Sequence, residues 1–217
     1  MTGKRTAFSL LGREITFFNQ RSRDWTHLYE WDGNGSTLSG AGCGIFSLCH
    51  CAQWLTGREE NPEFWADFSC QNGGRGDDGT DRPALLHALQ ATGEAARLGF
   101  RYEEDGLRND LDTLYDFLLH ERGVSMCNLR VGHIVTLVAA RELYGRRQLL
   151  AIDSYSESAS EKVRDHVIEV IPGSEVTYAV RNASGLIVGE NTAYAAFWVD
   201  ASLPRDFNLL HRLKTEA

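Results

Sequence analysis

No apolar run in this sequence reaches the roughly twenty residues that a membrane-spanning helix needs, and the basic residues never gather into a block. The first absence argues against a bilayer span. The second, with a net charge of −8, leaves no phosphate-tracking surface for nucleic acid. There are only four prolines, and no proline-rich linker, internal repeat or low-complexity tract divides the chain. Its 217 residues therefore fit a single domain with a substantial core. The opening MTGKRTAFSLLGREITFF starts basic and turns apolar as a secretory leader does, but Arg13 and Glu14 interrupt it and no small-residue cleavage pattern follows. A cytoplasmic location is expected, or a secreted one if a leader is missing. The sequons at Asn34 and Asn182 read as chance matches.

Five cysteines is an odd number in a chain large enough to fold without staples, which argues against a complete disulfide framework and for reduced thiols. Three of them fall in GAGCGIFSLCHC (40–51), which raises three options: a metal knuckle, a disulfide staple or a helix with a reactive thiol at its tip. Cys49 and Cys51 are two apart on a helix and point to different faces. No second pair at ligand spacing follows, and Cys70 and Cys127 stand alone, so structural zinc is not expected. GDDGTD (76–81) lacks the alternating acidic positions and distal Glu of a calcium loop and reads as an acidic turn before a helix. No metal or cofactor is expected.

Residues 40–56 read as a helix, with Ile45, Leu48, Cys49, Ala52 and Leu55 on one face and Gly57 at its C-terminus. Cys49 is expected in the core and Cys51 on another face. A second helix follows Thr80 or Asp81, with Pro83 in its first turn and Leu85, Leu86 and Leu89 inward. A third spans Asp110 to Arg122, stopped by Gly123. Beyond it come short runs rich in β-branched and aromatic residues: VSMCNL, HIVTLVAA, QLLAID, HVIEVI, EVTYAV and AAFWV. Helices followed by strands predict an α+β domain, with a helical half (about 17–123) packed on an antiparallel sheet (about 124–200).

Cys43 falls at the start of the first helix, where free backbone N–H groups and the helix dipole favour a thiolate. Gly42 and Gly44 would leave its sulfur uncrowded for a substrate backbone. Among seven histidines, His87 and His120 fall within predicted helices, whereas His133 opens a strand, a rigid place for a general base. A turn centred on Leu143 would pair His133 with Asp153, whose carboxylate could fix the ring tautomer, and a slightly later turn would still leave them neighbours. Acyl transfer also needs donors for an oxyanion. The Cys43 N–H is one, and the Gln20 amide is the candidate for the second.

In this order, NQRSRDWTHLY (19–29), AGCGIFSL (41–48), GHIVTLV (132–138) and LLAIDSY (149–155) resemble the papain-like cysteine peptidases. The likeness is greatest to the bacterial branch similar to the bacteriocin-processing, double-glycine leader peptidases. Ile45-Phe46 depart from the proline and small hydroxyl residue more usual there, and the 161–185 stretch looks like an embellishment. The resemblance implies a papain-like fold with its active site in the cleft between the two halves. Cys43 would be nucleophile, His133 general base, Asp153 its orienter and Gln20 the oxyanion donor. The expected partner is a peptide or protein substrate. Two alternatives keep the fold: an amidase, deconjugating enzyme or acyltransferase using the same thiol, and a binding module with an idle triad.

Overall fold

The computed structural model describes residues 4–33, 35–129, 132–156 and 163–213. Asn34 of the first sequon, the first three residues and residues 157–162 lie outside them. The chain opens on a hairpin that periodicity did not predict, β1 (Arg5–Leu10) and β2 (Arg13–Phe18). It turns at Leu11-Gly12, both at positive φ. A single helical turn, α1 (Leu38–Ala41), leads through Gly42 into α2 (Cys43–Thr56). The expected helix is thus broken at Gly42, which makes Cys43 the first residue of the long segment. Gly57 closes α2 in the left-handed conformation, φ 73°, as its position predicts.

Next come α3 (Pro62–Gln71), a short ribbon β3 (Arg75–Gly76) and β4 (Gly79–Thr80), then α4 (Arg82–Thr92), α5 (Glu94–Arg97) and β5 (Phe100–Tyr102). Asp81 caps α4 by accepting a hydrogen bond from the Ala84 N–H. The next helix, α6 (Leu111–Leu119), is capped by Asp110 and ends before Gly123, which instead opens β6 (Gly123–Leu129). Gly123 serves the sheet, because a Cβ there would collide with the Leu210 carbonyl oxygen. The strands continue as β7 (His133–Leu143), β8 (Arg146–Ile152), β9 (Val167–Val170), β10 (Glu175–Arg181), β11 (Ile187–Tyr194), β12 (Ala196–Asp200) and β13 (Pro204–Arg212).

Seven of these strands form one antiparallel sheet in the order β5-β13-β6-β7-β8-β12-β9, which makes the domain α+β. The sheet draws in β5 and β13, from outside the 124–200 stretch, while β10 and β11 stand apart as a two-stranded ribbon. α2 lies on one face, across β7 and β6, and α6 on the other. Side chains alternate accordingly: Ile134, Leu150, Ile152 and Trp198 join the α2-side core, and Val135, Leu137, Leu149 and Ala151 the α6-side core. Two covered faces explain why these strands read as continuous apolar runs; each fully buried aliphatic contributes roughly 1.5–3 kcal/mol.

Both the Cys49 and the Cys51 face of α2 are buried. His50 is buried between them. Its ring stacks on Phe17 and Phe18, and its Nε2 accepts the Phe18 N–H at 3.2 Å. Burial lowers its pKa to about 3. Folded His50 therefore stays neutral where unfolded His50 takes a proton, so stability falls as pH drops below 6.5 toward 3. Urea denaturation of wild type and His50→Gln should show a gap that narrows by roughly 1.4 kcal/mol per pH unit in that window. A gap that does not change with pH would contradict a neutral buried imidazole.

Candidate active site

The loop from β2 to α2 is fixed first. Asn19 bends it: its carbonyl accepts the Trp25 indole N–H at 2.9 Å and its side chain the Arg21 N–H at 3.1 Å. Trp25 is buried edge-on against Phe46 of α2. The Tyr29 hydroxyl meets Thr80 at 2.8 Å and Ser69 at 3.0 Å, joining the same loop to β4. The loop that carries Gln20 is thereby tied to α2, which begins at Cys43.

Cys43 is the first residue of α2, so its N–H is one of the donors an α-helix leaves without an internal partner. The flanking glycines serve packing rather than substrate access. A Cβ at Gly44 would sit 2.5 Å from the Thr80 hydroxyl oxygen, and one at Gly42 would sit 2.5 Å from the Leu38 carbonyl oxygen. The space that seemed free for a substrate backbone is filled by the β4 strand and the preceding turn.

His133 opens β7, and its Nε2 lies 2.6 Å from Asp153 Oδ1. They are not direct partners in the ladder. The turn is Tyr144-Gly145, both at positive φ, and the register shifts between Leu137 and Ala139. Continuing from the Thr136–Ile152 pair sets Asp153 opposite Val135, so its side chain reaches His133 diagonally. Asp153 is fully buried, and the same oxygen accepts the Tyr155 N–H at 2.8 Å. With Nε2 engaged by the carboxylate, the His133 side chain also hydrogen-bonds Cys43, which leaves Nδ1 for the thiol.

Burial alone would raise the Cys43 pKa. The hydrogen bond and charge of His133, with backbone bonds from Ile134 and Gly44, outweigh it and hold the thiol below its usual value. Burial likewise opposes charge on His133, but Asp153 above all, and then Cys43, bring its pKa up to about 10. Both shifts act in favour of a thiolate facing an imidazolium. Burial raises the other four thiols, Cys51 to about 12. Cys43 alone is lowered.

The Gln20 amide is oriented rather than loose. Its Oε1 accepts the Ser154 hydroxyl at 3.0 Å and its Nε2 points to the Ser39 carbonyl at 3.4 Å, while its backbone N–H bonds the Ser154 carbonyl at 2.9 Å. An amide nitrogen carries two donors, so one remains after Ser39. Sequence reading missed Ser154, Tyr155 and Thr80. Their one signal was adjacency: Ser154 and Tyr155 directly follow Asp153, and Thr80 lies in the acidic turn, where it was weighed only as a helix cap. No group of three or more potential metal ligands occurs among the described residues, nor any helix long and apolar enough to cross a membrane.

Comparisons with family models, curated proteins and solved structures find no match.

Gly44→Ala should cost about 1–3 kcal/mol by overpacking and displace Cys43. Combining it with Thr80→Gly, which vacates the space, should recover part of that loss in chemical denaturation. Full additivity of the two substitutions would show that Thr80 is not what confines Gly44.

Proposed function

We propose that this chain is a papain-like cysteine peptidase that hydrolyses peptide (amide) bonds through Cys43, His133, Asp153 and Gln20. One observation carries the reading: of five thiols, only that of Cys43 is lowered, by a histidine whose far nitrogen is 2.6 Å from a buried carboxylate. A helix bearing the sulfur, laid on a sheet bearing the imidazole, supports the papain-like assignment.

The chemistry follows from these groups. The Cys43 thiolate attacks the scissile carbonyl carbon, forming a C–S bond, and the carbonyl π electrons move to oxygen. That oxyanion meets the Cys43 N–H and the spare Gln20 donor, aimed donors being worth about 3–4 kcal/mol each. The imidazolium of His133 gives its proton to the leaving amine nitrogen as the C–N bond breaks, leaving a thioester. Neutral His133 then takes a proton from water, the resulting hydroxide attacks the thioester carbon, and collapse releases the acid and restores the ion pair. Asp153 holds the ring throughout.

Iodoacetamide at about pH 6 should alkylate Cys43 well before the other four thiols, a preference that His133→Ala removes. Peptide hydrolysis followed by mass spectrometry should vanish in Cys43→Ala. Gln20→Ala should lower kcat by roughly 10²–10³ with little change in KM. Turnover should fall as pH rises through about 10, where His133 loses its proton. Uniform slow labelling of all five thiols would leave the fold as a binding module with an idle site.

A further inference from the structure

We propose that Arg21 is a positioning residue for His133, clamped between Tyr178 of the β10–β11 ribbon and Tyr155, the ring that stands edge-on to the imidazole. The inference rests on the thiol-hydrolase reading and deepens it, because it assigns a role to a ribbon that the seven-stranded sheet does not need.

The Arg21 guanidinium carbon lies 3.5 Å from the centre of the Tyr178 ring and 5.3 Å from that of Tyr155. Both distances are within cation–π range. Tyr155 in turn meets His133 with ring centres 5.9 Å apart and planes at 62°. Tyr178 is a fixed plate: it is buried midway along the ribbon, paired in register with Asn191, and its hydroxyl accepts the Asn191 amide at 3.1 Å.

Arg21 and Tyr155 are also fixed at their backbones. Arg21 follows Gln20, whose N–H bonds the Ser154 carbonyl, and the Tyr155 N–H bonds the carboxylate that orients His133. Two neighbouring residues on one segment therefore meet two on the other. Gln20 with Ser154 aims the oxyanion donor, and Arg21 with Tyr155 aims the ring beside the imidazole. A ring held there shields the His133–Asp153 bond from water, which strengthens that bond and keeps the imidazole facing the sulfur. Arg21 touches no reacting atom in this scheme. Its effect passes through Tyr155, and the ribbon supplies the opposite jaw.

The test uses the full chain, with two readouts: the rate of Cys43 alkylation by iodoacetamide near neutral pH, and kcat against KM on a cleaved peptide. Arg21→Ala and Tyr178→Ala should each slow alkylation and lower kcat about tenfold, with KM nearly unchanged. Tyr178→Phe, which keeps the ring, should recover most of the rate lost in Tyr178→Ala. Arg21→Lys should recover part, since lysine keeps the charge without the planar stack. If Arg21→Ala does not fold, the Tyr178 pair decides, and equal alkylation rates in its Ala and Phe variants overturn the proposal. Selective Cys43 labelling in wild type, with Arg21→Ala equally fast, removes the positioning role and leaves the hydrolase reading intact. Absence of selective labelling in wild type removes the hydrolase reading itself.

Discussion

The seating of α2 on β7 is what brings a sulfur and an imidazole together. Buried hydrogen bonds set that seating as well as apolar packing does. The Thr136 hydroxyl donates to the Ser47 carbonyl at 3.0 Å and lies 2.9 Å from the Ser47 hydroxyl, with the Cys51 thiol beside it. Ser47 is one helical turn after Cys43, and Thr136 is three residues after His133. A directional contact this close to both Cys43 and His133 fixes the sliding and rotation of helix against strand, which apolar contacts alone specify poorly. The side chains beneath α2, Ile134, Val138 and Met126, supply the area that holds the layers together.

A second constraint comes from the three residues that follow β8. Asp153 orients His133, Ser154 orients Gln20, and Tyr155 closes against the ring. The end of one strand thus positions both the His133 imidazole and the Gln20 amide. The backbone bond between Gln20 and Ser154 ties that strand end to the loop before α2. Such concentration suits chemistry that tolerates little misplacement of its groups. It also explains why a bulge in β7 does no harm: Asp153 reaches His133 diagonally, and its position is set as much by the Tyr155 N–H and by the bond from its own N–H to the Ala195 carbonyl as by ladder register.

The helices and most of the central strands were legible because their signals are local. Asp81, one of the two expected caps, caps α4, Asp110 stands at the expected start of α6 and caps it, Gly57 ends α2, and the apolar runs of β6, β7, β8 and β12 are strands. What the sequence concealed depends on distant partners. β1 and β2 show no clean alternation, and their pairing rests on a turn at Leu11-Gly12 without a strong turn signature. β13 sits between β5 and β6, a placement decided by which sheet edge remains open. Gly123 looked like a helix stop because the Leu210 carbonyl that requires a glycine there is far along the chain. The site followed the same rule: Cys43, His133 and Asp153 declared themselves by residue type at element ends, whereas Thr80 and Arg21 gain meaning only from what they touch.

Two histidines, one on α2 and one facing it, show why the Cys43 cluster is costly unless it is used. The His50 ring packs between α2 and the β1–β2 hairpin and His133 faces α2 from the seven-stranded sheet, and burial pushes both toward neutrality. His50 yields and sits stacked on phenylalanines, with its pKa near 3; His133 goes the other way, to about 10. The difference is a fully buried carboxylate on one side and a thiol on the other. Burying such a trio brings no clear stability gain, since well-packed apolar residues of similar volume serve a core at least as well. His50 is what a structural histidine looks like in this core: neutral, with a backbone N–H for a partner and no carboxylate beside it. His133 departs from that pattern through charged and hydrogen-bonding partners that folding alone does not require, which is the pattern the proposed hydrolase reading calls for.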